Sequence, residues 1–284
     1  MLVLALDSSA TASVALARID SDAPGASAEI LASYESEDTR SHAEVMAPYA
    51  AQVLADTGLD GAAVDAVLTG TGPGPFTGLR AGIMTARTLG FAWDKPVYGL
   101  MSLTAIVERA FADGAFRDSR TAANNGMNRA AVETLVASDA RRREIYCALF
   151  AVTENGYSLA AGPSVGSAHQ THAPASDPSA APALGYGAGL YAEALTASGW
   201  TVLKDYAHLH PTAADLVKAA ARCGVKNLSR DTQALYLRES DAKVPAAMLA
   251  RTASAQPPHG QQNTGEPQKT RGQQPAPAAP AREQ

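Results

Sequence analysis

The order of strands and helices in the first 112 residues is the feature that most limits how this chain can fold. Three short apolar segments with brief polar connections predict three consecutive strands, and such connections favour antiparallel neighbours. The predicted strands are residues 2–7, 13–18, 29–35, 66–70 and 97–100, and the predicted helices are residues 42–56, 76–92 and 102–112. A chain with this order can build one mixed sheet with helices packed against it.

Three strands followed by alternating helices and strands are typical of a ribonuclease-H-like or actin-like domain. The second half of the chain repeats this order more weakly. Its predicted strands are residues 134–138 and 144–152, with weaker signals near 157–166 and 184–187, and its predicted helices lie near 189–198 and 212–223. We therefore predict an α/β, actin-like fold of two similar domains, in which the second is a degenerate copy of the first.

Composition divides the chain into four predicted segments. An N-terminal half (residues 1–112) is followed by a loop or linker (113–132), a C-terminal half (133–245) and a tail (246–284). The tail is rich in Gln, Pro and Ala and has few apolar side chains to offset the entropy of ordering. It is therefore predicted to be disordered.

Charge and cysteine content exclude several classes of protein. The chain has a net charge of −5, and its tail carries four basic residues against two acidic ones, so residues 1–245 are strongly acidic. An acidic folded part is poorly suited to holding nucleic acid without a partner or a local basic patch. The two cysteines give neither a disulfide framework nor a zinc quartet, which favours a cytoplasmic location. No run of eighteen apolar residues predicts a membrane span, and the first residues lack the features of a signal peptide.

The glycine-rich stretch "GTGPGPFTGLRAG" (residues 70–82) raises the question of a phosphate site. A phosphate cradle needs consecutive backbone N–H groups, and Pro73 and Pro75 each remove one. The lysine of a P-loop is missing, and the evenly spaced glycines do not match the dinucleotide fingerprint. The stretch is therefore predicted to be a structural turn that allows close packing.

The helix predicted at residues 76–92 has no ordinary polar face. Small residues occupy one broad arc, and large apolar residues occupy the other, interrupted by Arg80 and Arg87. We interpret the small-residue arc, together with the apolar face of the helix at 42–56, as a contact with a partner subunit. Tight packing inside one chain is the alternative. The predicted interface comprises Val45, Met46, Tyr49, Val53, Gly78, Gly82, Thr85, Ala86 and Leu89.

Five motifs occur in order along the chain. They are "LALDSSATASVAL", "RSHAEVMAP", "GTGPGPFTGLRAG", "DARRREIY" and "LYLRE". Together they resemble the TsaB (YeaZ) family over roughly residues 1–245. The resemblance implies an actin-like fold and a role in making threonylcarbamoyladenosine next to the tRNA anticodon. It also implies a non-catalytic subunit that forms a heterodimer with a TsaD-like catalytic subunit, through the two helices just named, and is joined by a TsaE-like ATPase.

The same resemblance bears on metals and on the assembly. TsaD-like subunits hold a metal with two histidines four residues apart on the first of these helices, where this chain has His42 and Met46. A thioether is a poor ligand for a hard or borderline ion, so we expect no metal site, and His42 is predicted to be an exposed histidine in a first helical turn. No catalytic residue is predicted. A competing homodimer stays open, and contact with tRNA is expected to be only indirect.

Two further places could bind ligands. The hairpin after the first strand is where actin-like kinases hold phosphate, using glycines, but here Asp7 is followed by Ser8, Ser9, Ala10 and Thr11. A nucleotide cleft is therefore only a candidate, with ATP or ADP in the assembled complex left open and hydrolysis not expected. The candidate cleft residues are Asp7, Ser9, Thr11, Gly185 and Gly187.

The basic turn "DARRREIY" (residues 139–146) has two interpretations. Arg141, Arg142 and Arg143 either form a solvated hairpin turn or provide a docking point for tRNA or for the ATPase subunit. Two other functions compete with the TsaB-like one. An actin-like, ATP-dependent phosphotransferase needs a working phosphate hairpin, and a metallopeptidase needs the missing second histidine.

Overall fold

The fold is that of a computed structural model describing residues 1–37, 42–116, 131–173 and 181–238. These residues form two five-stranded sheets and six α-helices. The strands are β1 (Leu2–Asp7), β2 (Ser13–Ile19), β3 (Ala28–Glu35), β4 (Ala66–Gly70), β5 (Val97–Leu100), β6 (Val132–Asp139), β7 (Glu144–Val152), β8 (Tyr157–Ser167), β9 (Pro182–Leu184) and β10 (Thr201–Val202). The helices are α1 (His42–Thr57), α2 (Phe76–Trp93), α3 (Leu103–Ala112), α4 (Tyr186–Leu190), α5 (Ala192–Ala197) and α6 (Ala213–Cys223).

The first sheet has the strand order β3-β2-β1-β4-β5. β1 pairs antiparallel with β2 and parallel with β4, so that Leu4 lies opposite both Leu16 and Val67. Every residue of β1 is buried, because helices cover both faces of the sheet at this central strand.

The second sheet repeats this order as β8-β7-β6-β9-β10, with the same antiparallel and parallel pairings. β9 and β10 are only three and two residues long, which makes the second half the degenerate copy. The prediction of an α/β, actin-like fold with two similar domains is confirmed.

Helices and sheets alternate in five layers. α1 and α2 cover the outer face of the first sheet, and α4 and α5 cover the outer face of the second. α3 and α6 lie between the sheets. Ala105 of α3 and Leu216 and Val217 of α6 pack on the first sheet, whereas Ile106 of α3 packs on Phe150 in the second.

A buried ionic cluster joins the central layer to the second sheet. Glu108 of α3 is 2% exposed and accepts two hydrogen bonds from the Arg222 guanidinium of α6, both of 2.7 Å. The Tyr157 hydroxyl of β8 donates a third, of 2.6 Å. Burial, together with the Glu108 carboxylate, raises the pKa of Tyr157 well above its usual value.

Some predicted segments lie outside the described residues. These are the tail at 246–284 and most of the linker predicted at 113–132. Within the described ranges, no helix combines the length and the apolar character needed to cross a membrane.

Candidate functional site

The glycine-rich turn after β4 presses against the hairpin between β1 and β2. A Cβ atom on Gly70 would overlap the Asp7 carboxylate, and one on Gly74 would overlap the Ser9 carbonyl and lie 2.9 Å from Ser9 Cα. Gly72 has φ +93°, a conformation that other residues rarely adopt. Gly74 thus allows the turn to approach the backbone of the hairpin closely, and Gly70 leaves room for the Asp7 carboxylate.

Asp7, at the base of the β1–β2 hairpin, is fully buried and bonded by the chain's own hydroxyls. Its Oδ1 atom accepts hydrogen bonds from the backbone N–H and the hydroxyl of Ser9, at 2.9 and 2.6 Å. Its Oδ2 atom accepts one from the Ser102 hydroxyl, at 2.5 Å. Burial raises the pKa of Asp7, against the effect of these hydrogen bonds.

The hairpin between β6 and β7 is the topological equivalent of the β1–β2 hairpin. In both, the aspartate that ends the first strand accepts a hydrogen bond from the N–H group two residues later, at 2.9 Å. The pairs are Asp7 with Ser9 and Asp139 with Arg141. The duplicated fold therefore keeps the same local turn in each half.

The β6–β7 turn places three consecutive arginines in the left-handed region. The φ angles are +61° for Arg141, +54° for Arg142 and +63° for Arg143, and all three residues are exposed. Residues with a Cβ atom adopt this conformation at a cost of about 1–2 kcal/mol each, and glycine avoids that cost. The turn therefore carries strain that its sequence does not relieve.

The two hairpins border one cleft of about 650 Å³. Residues from both halves line it, namely Ser9, Ala10, Thr11, Glu35, Ser36, Glu37, Pro75, Asp139, Arg141, Tyr186 and His210. The structure thus brings together residues of two candidate sites in one cleft, namely Ser9 and Thr11 of the candidate nucleotide cleft and Arg141 of the basic turn. No sequence motif pointed to Glu35, Tyr186 or His210, because they reach the cleft through the tertiary fold alone.

Gly185 and Gly187 do not line this cleft, and their part in a nucleotide site stays a prediction. Both are buried, and a Cβ atom on either would overlap the backbone of β6, at Ala137 and Ser138 respectively. They are glycines because α4 packs directly on that strand. Asp7 likewise lies beneath the cleft wall and is not among the lining residues.

The charge of the cleft is unfavourable for a bare phosphate. Among its described lining residues, the carboxylates of Glu35, Glu37 and Asp139 outnumber the guanidinium of Arg141. Burial raises the pKa of Glu35, which accepts a hydrogen bond of 3.2 Å from the Thr11 hydroxyl.

One wall of the cleft is aromatic. Tyr186 is 38% exposed, and its ring lies 4.5 Å from the ring of His210. Burial lowers the pKa of His210, whose Nδ1 atom is buried without a hydrogen-bond partner among the described residues. The histidine is therefore neutral near pH 7, and its ring is tilted by 31° against the ring of Tyr186.

The small-residue arc of α2 faces the interior of the chain, so the prediction that it contacts a partner is wrong for Gly78, Gly82 and Ala86. All three are buried. The Ser8 hydroxyl donates to the Gly78 carbonyl at 2.7 Å and accepts from the Gly82 N–H at 3.0 Å. The hydroxyl therefore lies between two groups that normally bond to each other in a helix.

The remaining residues of the predicted interface divide between buried and half-buried positions. Met46 and Val53 of α1 belong to the core beneath the first sheet and cannot present their side chains to a partner. Half-buried residues border that core, namely Val45, Tyr49, Thr85 and Leu89. Whether they touch a second subunit stays a prediction.

The outer face of α2 carries large apolar side chains instead. Phe76, Met84 and Phe91 are 53%, 54% and 89% exposed. Arg80 and Arg87 alternate with them, and these arginines hold the segment Ser229–Arg238, here called the C-terminal strap. Their guanidinium groups donate to the Tyr236 hydroxyl at 3.1 Å and to Thr232 Oγ1 at 2.7 Å.

The C-terminal strap extends the same surface. It bonds to β5 through Gly99 N–H and the Ser229 carbonyl, at 2.9 Å, and to Thr71 through Leu235 N–H, at 2.9 Å. Tyr236 stays 45% exposed and packs against Phe76, with ring centroids 5.0 Å apart. Sequence periodicity did not indicate this arrangement, because the strap has no regular secondary structure.

Comparison with known proteins identifies the family. The family model described as TsaD, tRNA N6-adenosine threonylcarbamoyltransferase, matches residues 29–181, which is more than half of the chain. A Haemophilus influenzae protein named tRNA threonylcarbamoyladenosine biosynthesis protein TsaB is 42% identical over 72 residues, covering 25% of this chain and 30% of that protein. The structure of YeaZ from Pseudomonas aeruginosa superposes with a TM-score of 0.63 and 26% identity, covering 83% of this chain and 99% of that one. The chain belongs to the TsaB (YeaZ) family.

The TsaB assignment rests on the fold and on partial alignments to curated sequences. An uncharacterised protein of Mycobacterium tuberculosis is 43% identical over 113 residues, covering 40% of this chain and 44% of that protein. The chain spans about half the length of the curated mycobacterial relatives that it matches.

His42 lies at the position where the resemblance implies that TsaD-like subunits have a metal ligand. His42 was predicted to be exposed, but it is buried, and its Nε2 atom lies 3.0 Å from the Ala10 carbonyl oxygen. The side chain thus ties the start of α1 to the β1–β2 hairpin. Met46 is fully buried in the apolar core below it.

Proposed function

We propose that the chain is the non-catalytic, dimerising subunit of the machinery that transfers a threonylcarbamoyl group to the adenosine next to the tRNA anticodon. In this proposal it pairs with a TsaD-like catalytic subunit and works with a TsaE-like ATPase in the cytoplasm. Membership of the TsaB family supports the pathway. Two unpaired cysteines, Cys147 and Cys223, agree with a reducing compartment.

The state of Asp7 is the observation that carries the non-catalytic part of the proposal. Both of its carboxylate oxygens are occupied by Ser9 and Ser102, and the neighbouring Ser9 N–H points at Asp7 and not into the cleft. An actin-like phosphotransferase needs an accessible carboxylate near magnesium and free N–H groups at this hairpin. The acidic cleft wall argues against the phosphotransferase in the same way.

The outer face of α2 is the partner surface in this proposal, in place of the buried glycine arc. Phe76, Met84 and Phe91, with Tyr236 of the C-terminal strap, are four of the seven large hydrophobic side chains that are exposed among the described residues. Clustered apolar residues of this kind mark protein contact sites. Half-buried residues of α1 and α2, such as Tyr49 and Leu89, extend the surface at its edge.

A reconstitution experiment tests the function. The reaction contains unmodified tRNA, threonine, bicarbonate and ATP. The proteins added are the TsaD-like and TsaE-like proteins and an enzyme that supplies the threonylcarbamoyl donor, and the reaction is run with and without this chain. We expect threonylcarbamoyladenosine, measured by liquid chromatography of tRNA nucleosides, only when the chain is present. Formation of the nucleoside without the chain, or ATP hydrolysis by the chain alone that Asp7→Asn abolishes, contradicts the proposal.

The partner surface is tested with Phe91→Asp and a matched control, Leu159→Asp. Both side chains are exposed, and Leu159 lies on β8 in the other half. A charge introduced into a desolvated contact weakens it by about tenfold or more, whereas the same charge at an open site is neutral. Calorimetric titration with the TsaD-like protein should show this loss for Phe91→Asp only, and equal affinities for both variants refute the assignment.

A further inference from the structure

The exposed side of α2 alternates apolar and basic side chains. Its members follow one another at intervals of four, four, three and four residues, so they share one side of the helix, and all are exposed. They are Phe76, Arg80, Met84, Arg87 and Phe91, here called the α2 seam. α2 contains no aspartate or glutamate, so neither arginine has an acidic neighbour on its own helix. A second helix can follow this seam over about 22 Å.

The C-terminal strap fixes both guanidiniums of the seam without neutralising them. Each donates from its Nε atom to a hydroxyl of the strap, Arg80 to Tyr236 and Arg87 to Thr232. The Arg80 guanidinium also lies 3.9 Å from the centre of the Phe76 ring. Among the described residues, neither an ion pair nor a further hydrogen bond engages the terminal nitrogens of these arginines. Both side chains are therefore held in place with donors left for an outside acceptor.

A groove of about 380 Å³ lies between the seam and the strap. Ile83, Met84 and Ala234 supply apolar lining, both arginines of the seam border it, and no described carboxylate lines it. Asp231, the one acidic residue of the strap, accepts a hydrogen bond of 3.0 Å from the Gln233 N–H group. The groove is thus apolar and locally basic on a chain whose net charge is −5.

A second copy of the chain does not match this pattern. Pairing of α2 with α2 brings arginines against arginines, which is unfavourable. The acidic residues of the neighbouring helix α1 are Glu44 and Asp56, twelve residues and therefore about 18 Å apart. Arg80 and Arg87 are seven residues and about 10 Å apart, so α1 of a second copy cannot pair with both. Asp56 is moreover bonded to the Tyr34 hydroxyl, at 2.6 Å.

We propose that the α2 seam and the groove beside it bind an acidic amphipathic helix of a different protein. Two carboxylates of that helix, about two turns apart, pair with Arg80 and Arg87, and its apolar side chains pack on Met84 and Phe91 and enter the groove. The two arginines thereby select an acidic partner over a second copy of the chain. The identity of this partner as the TsaD-like subunit rests on the proposed function.

Removal of the two charges tests the proposal on the full chain. The double variant Arg80→Gln/Arg87→Gln should bind the TsaD-like protein about 30-fold or more weakly in calorimetric titration, as expected when a buried charge pair loses one partner. The weakening of binding by added salt, expected for the unmodified chain, should largely disappear. Arg18→Gln, at an exposed arginine of β2, should change neither quantity.

A second double variant separates the charges from their contact with the strap. Tyr236→Phe/Thr232→Val removes the two hydroxyls that accept from the arginines and leaves both guanidiniums in place. This variant should bind the TsaD-like protein less than about tenfold more weakly and keep the salt dependence. A loss as large as that of the glutamine variant would show that the arginines act only by holding the strap, and it overturns the proposal.

Designed peptides test the acidic contact independently of the proposed function. Two stapled amphipathic helices of about 18 residues, the length of α2, differ only at two positions seven residues apart, which are glutamate in one and lysine in the other. Fluorescence anisotropy should show tighter binding of the glutamate peptide to the unmodified chain. The glutamine variant should show no such preference. Equal binding of both peptides to the unmodified chain overturns the proposal.

The outcomes distinguish this proposal from the function on which it rests. An unmodified chain that does not bind the TsaD-like protein refutes the proposed function, and a preference for the glutamate peptide then still supports the acidic contact. Equal affinity of the unmodified chain and the glutamine variant for the TsaD-like protein refutes only the acidic contact. Sedimentation of the chain alone should show no dimer that the glutamine variant weakens, since such a dimer would assign the seam to a second copy.

Discussion

Gly82→Ala tests the packing of α2 with the smallest possible change. The added Cβ atom would overlap Ser8 Oγ, lie 3.2 Å from Ser8 Cβ and approach Met46 Cε to 3.5 Å. Ser8 belongs to the β1–β2 hairpin, which is fixed from the other side by Gly74. The hydroxyl must therefore leave its position between the Gly78 carbonyl and the Gly82 N–H.

The expected loss of stability follows from three contributions. Breaking the two hydrogen bonds of the Ser8 hydroxyl costs about 1–3 kcal/mol, at about 0.5–1.5 kcal/mol each. Overpacking a rigid contact adds about 1–3 kcal/mol. Replacing a helical glycine by alanine returns about 0.8–1.0 kcal/mol. The net expectation is a destabilisation of about 1–5 kcal/mol, with a midpoint of about 3 kcal/mol that corresponds to roughly 6–12 °C in melting temperature.

Thermal and urea unfolding of the isolated chain measure this effect. Thr88→Ala, at an exposed position of the same helix, is the control and should stay within about 0.5 kcal/mol of the unmodified chain. Ser8→Gly combined with Gly82→Ala should recover part of the loss, because the two positions are in contact. A melting temperature for Gly82→Ala at or above that of the unmodified chain, with weaker binding to the TsaD-like protein, would show that this arc faces a partner after all.

Three other predictions follow from the buried groups. Arg222→Ala leaves the Glu108 carboxylate buried without its cation and should lower the free energy of unfolding, measured in urea, by about 3 kcal/mol. The control Arg109→Ala breaks an exposed ion pair and should lower it by less than about 1 kcal/mol. Equal losses of stability in the two variants would show that the buried ion pair is no more important than the exposed one. Burial raises the pKa of Asp7, so the folded chain binds a proton at this carboxylate more tightly than the unfolded chain does. The stability of the unmodified chain relative to Asp7→Asn should therefore rise as the pH falls from 7 through the folded pKa. A stability difference that does not change with pH would contradict this prediction. Elemental analysis of protein purified without a histidine tag should find no stoichiometric zinc or iron, and one ion per chain would reverse that expectation.

Sequence reasoning located the elements of the first half because their apolar periodicity is local. β1 and β4 have the predicted bounds, and α1 and α2 end within one residue of theirs. The second half was harder, since β10 has only two residues and the helix predicted near 189–198 is divided into α4 and α5. A strand of two residues is too short to show an alternation of apolar and polar residues in the sequence. It forms only because it pairs with a longer neighbouring strand.

The candidate site was less accessible to such reasoning, because its features depend on long-range contacts. Gly82 and Ser8 are 74 residues apart in sequence, and nothing near either position indicates that a hydroxyl fits against the helix. His42 is buried for a similar reason, since the Ala10 carbonyl reaches it from a distant hairpin. A small residue shows that something approaches closely, but it does not show whether that neighbour belongs to the same chain.

The placement of α6 decides when the first sheet can be completed during synthesis. Leu216 and Val217 bury the face formed by Val3 and Ala5, and the Ala213 N–H donates to Ser13 Oγ at 2.8 Å. Ala105 of α3 covers part of the inner face of the earliest strands, but the rest stays uncovered on the ribosome until the segment ending at Cys223 has emerged. A fragment that stops after α3 exposes this apolar surface to chaperones and proteases, so the two halves, although similar in topology, are not separable units of expression.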